Sequence, residues 1–220
     1  SSVFGGFNRD DVIRYIEKTS LESKQQIEAL EQESDGLCRE NAELRDKLAA
    51  ADHLLFTCGS LMRGLIPEIE KIAAYAKHER ITMADIDAVA EPVLDARIFD
   101  MTNAVTARNY DRAAGVLAEL LRMQMEPIAI LAALGKELRR LYTARLALDG
   151  GKDRVWLKEL WSMSSDYPAK LLLQAARNVD HDWCRQAVKR CQVLDRRMKS
   201  ERNMDSEGEL KLLLMELAGG

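Results

Sequence analysis

From Ile13 to Leu55 the chain places a seam residue at alternating steps of three and four: Ile13, Ile16, Ser20, Ser23, Ile27, Leu30, Ser34, Leu37, Asn41, Leu44, Leu48, Ala51, Leu55. A strand alternates faces every second residue, whereas this period lays one stripe along a helix. With Ile27, Ser34, Asn41, Leu48 and Leu55 at heptad position a, the d positions are Leu30, Leu37, Leu44 and Ala51. The stripe predicts a coiled coil with an interface of Ile27, Leu30, Leu37, Asn41, Leu44 and Leu48. A single Asn at a favours two strands. In a parallel pair, Glu40 meets Arg45 and Lys47 meets Asp52 across the seam, both with opposite charges. Gly36 and the seam serines weaken the association, and one amphipathic helix packed on its own chain would show the same stripe. Ahead of it, Asn8 with Asp11 three residues on is a helix-start signal.

The remaining residues carry shorter stripes. Ile69, Ile72 and Ala76 make one, Thr82 with Asp85 caps the next, and Pro67 is placed at the first turn of a new helix. Further faces are Ile98, Met101 and Val105; Ala114, Leu117 and Leu121; and a long one from Pro127 through Leu131, Leu134, Leu138 and Leu141 to Gly150-Gly151. Cys184, Ala187, Cys191 and Leu194, then Leu210, Leu213, Leu214 and Leu217, close the series. No strand alternation appears, and only four prolines interrupt a composition that is 47% hydrophobic. The predicted fold is all-α, an N-terminal coiled-coil helix over residues 1–60 followed by a multi-helix bundle over 61–218.

Catalytic constellations are absent. Gly135-Lys136 and Gly150-Gly151-Lys152 lack the upstream glycine or hydroxyl residue of a phosphate loop, and GxGxxG, GxSxG and HExxH do not occur. His181, Cys184, Cys191 and Asp195 lie near one helix face, but among Ala187, Val188 and Leu194 the thiols read as buried core and not as metal ligands. His53 and His78 have no evident partners. The expectation is a non-enzymatic assembly protein with no catalytic residue, cofactor or metal.

A net charge of −4 argues against bulk binding of nucleic acid, which needs a cationic surplus. Two basic clusters remain, one with Arg139 and Arg140 and one with Arg185 and Lys189. With Trp183 they are the candidate contacts for a protein partner, or for weak contact with DNA. No apolar run approaches the roughly 20 residues that cross a bilayer, and no signal core follows the N-terminus, so a cytoplasmic location is expected.

Two resemblances follow from ordered motifs. Glu68-Ile69-Glu70-Lys71-Ile72, Ile81-Thr82 with Asp85-Ile86, and Ile98-Phe99-Asp100-Met101 come first. Glu126-Pro127-Ile128, Leu138-Arg139-Arg140-Leu141, Tyr167-Pro168-x-Lys170, Asp195-x-x-x-Lys199-Ser200 and Glu209-Leu210-Lys211-Leu212-Leu213 come after. Taken in that order over residues 66–220, they resemble the C-terminal collar part of the delta subunit of the bacterial DNA polymerase III clamp loader. The resemblance implies a helical collar that joins other clamp-loader subunits in a ring during DNA replication. The family's N-terminal ATPase-like domain finds no match in these residues, so this chain is not expected to open a clamp alone.

Separately, Phe4, Gly6, Phe7, Asn8, Asp11, Val12, Tyr15 and Ile16, with Glu40-Asn41-x-x-Leu44, resemble the head and coiled coil of the DivIVA-type polar scaffold family. That resemblance implies a cell-division or polarity scaffold with a helical docking domain as the alternative function. It also implies membrane contact through an aromatic and an arginine; here Gly5 stands at the arginine's place, leaving Phe4 and Arg9. The expected partners are therefore other clamp-loader subunits and a second copy of this chain.

Overall fold

The computed structural model describes residues 8–77, 80–163, 165–201 and 203–218. Among these every regular element is a helix: α1 Arg9–Cys58, α2 Met62–Tyr75, α3 Met83–Val89, α4 Leu94–Thr106, α5 Tyr110–Arg122, α6 Pro127–Asp149, α7 Arg154–Leu160, α8 Asp166–Ala176, α9 His181–Ser200 and α10 Ser206–Ala218. The all-α expectation holds. The chain divides into two compact units, residues 1–48 and 49–220.

The described part of the first unit is helical from Arg9 onward. Asn8 Oδ1 accepts from the Asp10 N–H at 3.1 Å, satisfying one donor that the first turn leaves free. No proline follows for fifty residues, and Gly36 is tolerated without a break. Phe4 lies outside the described residues, and Arg9 is exposed.

The second unit begins earlier than the expected domain start at residue 61. The C-terminal residues of α1 pack with the bundle: Thr57 and Cys58 are buried, and the Phe56 ring meets Phe99 edge to face at 5.2 Å. The helix ends at Gly59, whose φ of +78° is a left-handed conformation that glycine adopts without a steric penalty. Pro67, expected in the first turn of its helix, lies further inside α2 and removes an intrahelical hydrogen bond that its expected position would have spared. The cap before α3 is as read: Thr82 accepts from the Asp85 N–H, and the Asp85 carboxylate accepts from the Thr82 N–H at 2.8 Å.

The core of this unit is built around α6, which packs against α4, α7, α8, α9 and α10. Ile130, Leu131, Leu134, Leu138 and Leu141 fill its upper turns. Below them Ala144 and Ala147 are buried, small enough for neighbours to approach closely. Gly135 is buried on the α9 side, where a Cβ would meet the Cys191 Cβ at an ordinary contact distance of 3.8 Å. From α9, Cys184, Ala187, Cys191 and Leu194 point inward; from α8, Ala169, Leu172, Ala175 and Ala176 do.

Because Leu141 is fully enclosed, Leu141→Ala should cost about 2–5 kcal/mol through lost transfer energy and the cavity left behind. Leu146, on the open side of the same helix, should lose no more than about 0.5 kcal/mol on the same change. Urea denaturation of the two variants checks the contrast.

Candidate interaction surface

One exposed apolar surface of the second unit lies on α9 and α10, and it follows from how α10 uses its leucines. The run from Leu210 to Leu217 has more apolar residues than one helix face can bury. Leu210, Leu213, Leu214 and Leu217, at spacings of three and four, turn into the core. Leu212 and Met215 fall on the opposite side and stay 53% and 70% exposed. Across from Leu212, Val193 of α9 is also exposed, and a groove of about 390 Å³ runs between the helices over Val193, Leu194, Leu212 and Leu213. Its rim is charged, with Lys189, Arg190 and Arg197 from α9 and Glu209 and Glu216 from α10.

The two helices are fastened on both sides of this groove. Arg197 donates to both oxygens of Glu209, at 2.9 and 2.8 Å, a fork that matches the carboxylate plane. The Glu209 hydrogen bonds raise the Arg197 pKa above its usual value. At the other end the Trp183 indole N–H donates to the Leu217 carbonyl at 3.2 Å, and Arg190 pairs with Glu216 at 3.6 Å. α9 itself is capped by Asp180, whose carboxylate accepts from the Trp183 N–H at 2.7 Å.

The residues singled out from sequence are spread more widely. Arg139 is exposed beside α9, its guanidinium near Gly135. Arg140 turns to the other side of α6, where it sits 5.6 Å from the Trp161 ring centroid and 3.5 Å from the buried Glu137 carboxylate. Burial pushes the Glu137 pKa up, and Arg140 draws it back. Arg140 Nε and Trp161 Nε1 are both buried without a hydrogen-bond partner. Trp183 is half-buried and joins α9 to α10, as above. Arg185 pairs with Asp182 at 2.9 Å, leaving Lys189 on the groove rim. Arg139 and Lys189 are thus open to solvent, while Arg140 and Trp183 are held by their own chain. Lys136 is likewise neutralised by Asp95 at 2.7 Å.

His53, expected to lack partners, has two. Its Nε2 is 2.6 Å from the Asp87 carboxylate and its Nδ1 3.1 Å from the Tyr167 hydroxyl, bridging the end of α1 to α3 and α8. Burial, together with Asp87, Asp100 and Asp52, raises the Tyr167 pKa, so this hydroxyl is kept protonated and not poised to react. His78 lies outside the described residues. His181 faces the Tyr142 hydroxyl at 2.9 Å, away from the thiol pair. Cys184 and Cys191 are buried, and burial pushes both thiols up to about 12. Among the described residues no group of His, Cys, Asp and Glu has a metal-binding arrangement, and no helix is long and apolar enough to cross a membrane.

A family profile described as the C-terminal domain of the DNA polymerase III delta subunit matches residues 95–217, from the first turn of α4 to the last of α10. The chain belongs to that family. It is 25% identical over 171 residues to the DNA polymerase III subunit delta of Bacillus subtilis, covering 76% of this chain and 48% of that protein. To a probable DNA polymerase III subunit delta of Aquifex aeolicus it is 27% identical over 106 residues, 47% of this chain and 30% of that one. The fold is similar to that of the DNA clamp loader delta protein of Bacillus subtilis, with a TM-score of 0.66 at 22% identity, over 83% of this chain and 56% of the other. The chain spans about half the length of the relatives it matches. The likeness of its first residues to DivIVA-type scaffolds is not supported by these matches.

Of the chain's four cysteines, the three in the second unit are buried and Cys38 of α1 is exposed. At pH 8 a thiol reagent should therefore modify the exposed Cys38 quickly, and Cys58, Cys184 and Cys191 only after denaturation. Mass spectrometry of labelled peptides, native against urea-treated, reads this directly.

Proposed function

We propose that residues 49–220 form a non-catalytic oligomerisation module of a bacterial DNA polymerase III clamp loader, acting in DNA replication by docking on the loader's other subunits. The observation that carries the reading is the α9–α10 groove, in a chain whose match to the delta C-terminal family covers both helices. Leu212 and Val193 leave apolar area in water at a place where the backbone is already rigid, fastened by Arg197–Glu209 and Trp183–Leu217. Burying such side chains against a partner yields about 25 cal/mol per Å² with little ordering cost. The alternating charges on the rim fix register more than affinity.

Contact with DNA contributes less in this reading. Lys136, Arg140, Arg145 and Arg185 each have a carboxylate at hand, which leaves Arg139 and Lys189 as the open cations among the candidate contacts. The absence of a phosphate loop in the sequence leaves shape and apolar complementarity as the means of action.

The chain should co-elute with the clamp-loader ATPase subunits encoded in the same genome. Leu212→Arg, with unchanged circular dichroism, should weaken that association by about 30-fold, the effect of losing one anchor worth about 2 kcal/mol. A folded chain that shows no association with those subunits contradicts the proposal.

A further inference from the structure

The first unit carries a surface that the collar reading does not use. Ile27, Leu30, Leu37, Leu44 and Leu48 are between 55 and 63% exposed, all on the a/d stripe of α1. Apart from Tyr15 and Leu21, the opposite face is mostly polar, with ion pairs such as Lys18–Glu22 at 3.8 Å. A helix with this much uncovered apolar surface along one stripe is stable in water only when the stripe is covered.

We propose that residues 13–48 form a parallel, in-register, two-stranded coiled coil with a second copy of this chain. Three observations select this occupant. The apolar stripe has the narrow a/d width of a coiled-coil seam, so it matches a helix of the same period and not a broad pocket. The seam polar group decides direction. In a parallel register Asn41 at a meets Asn41 of the other copy, and the two amides satisfy each other. In an antiparallel pair a packs on d, and each amide would be buried against leucine methyls without a partner.

Charge complementarity gives the third. Across the parallel seam Glu40 meets Arg45, while Thr19 meets Lys24, Gln26 meets Glu31 and Glu33 meets Cys38. One pair is attractive and none of the four is repulsive, so register is favoured without being opposed anywhere. Gly36 at position c lies off the seam and removes no contact from it. Such a dimer carries two collar modules per assembly, and it stands whether or not residues 49–220 dock on a clamp loader.

Sedimentation equilibrium of the full chain at micromolar concentration should give twice the 24.8 kDa of one chain. Leu37→Lys with Leu44→Lys should weaken the dimer by more than about tenfold, because charges at d positions lose their solvation in the seam. In a Cys38→Ser background, Leu37→Cys should form a disulfide-linked dimer under mild oxidation, since d-position side chains face each other only in the parallel, in-register pair. A single-chain mass for the unmodified protein overturns the proposal, as does a two-chain mass that survives the double lysine change. A two-chain mass without cross-linking overturns the parallel register.

Discussion

The second unit depends on one helix being enclosed by five others. α6 keeps one face buried along its length, with large residues in its first turns and small ones in its last: Ile130 to Leu141 fill space, and Ala144 and Ala147 let neighbours come close. Interiors pack at crystal-like density, so this gradient in side-chain size determines how near each surrounding helix can lie. α9 packs on α6 with Cys191 beside Gly135, and α10 packs on α5, α6 and α9. The position of the last two helices is thus inherited from α6. Glu137 and Arg140 are the polar exception on this axis; burial pushes the Glu137 pKa up, and the nearby Arg140 guanidinium offsets that only in part.

α10 has more apolar residues than it can bury. A helix on the outside of a bundle has one inward stripe, and the chain supplies two more apolar residues than that stripe needs. Stability alone does not call for Leu212 and Met215. Leu212 lies exposed beside Val193, on a helix pair locked by a forked Arg–carboxylate contact and an indole hydrogen bond, which is why the proposed docking surface is placed there. The same logic applies to α1, where Leu30, Leu37 and Leu44 have nothing of their own chain over them.

Much of this was legible from residue spacing. The stripes of α4, α6, α9 and α10 name their buried residues correctly, because periodicity reports which side faces the core. The Thr82–Asp85 cap is local, three residues apart, and equally readable. Spacing could not show where α1 passes from an open stripe to a packed one, since the heptad runs unbroken through Leu48 and Leu55 while what covers it changes. Nor could it pair His53 with Asp87 and Tyr167, which are distant in sequence and belong to different helices. Pro67 was misplaced because a proline is tolerated in a first turn and the true start, at Met62, has no side-chain cap to announce it. The groove had a signal that went unused: the surplus of apolar residues between Leu210 and Leu217 for a single face.

The most direct test of the collar account is amide hydrogen exchange on the full chain, alone and mixed with the clamp-loader ATPase subunits. The account predicts slowed exchange in peptides covering 189–197 and 209–217, with the α6 peptides, already enclosed, little changed. Protection confined to 9–48, or none in the α9–α10 peptides of a complex that forms, would contradict it.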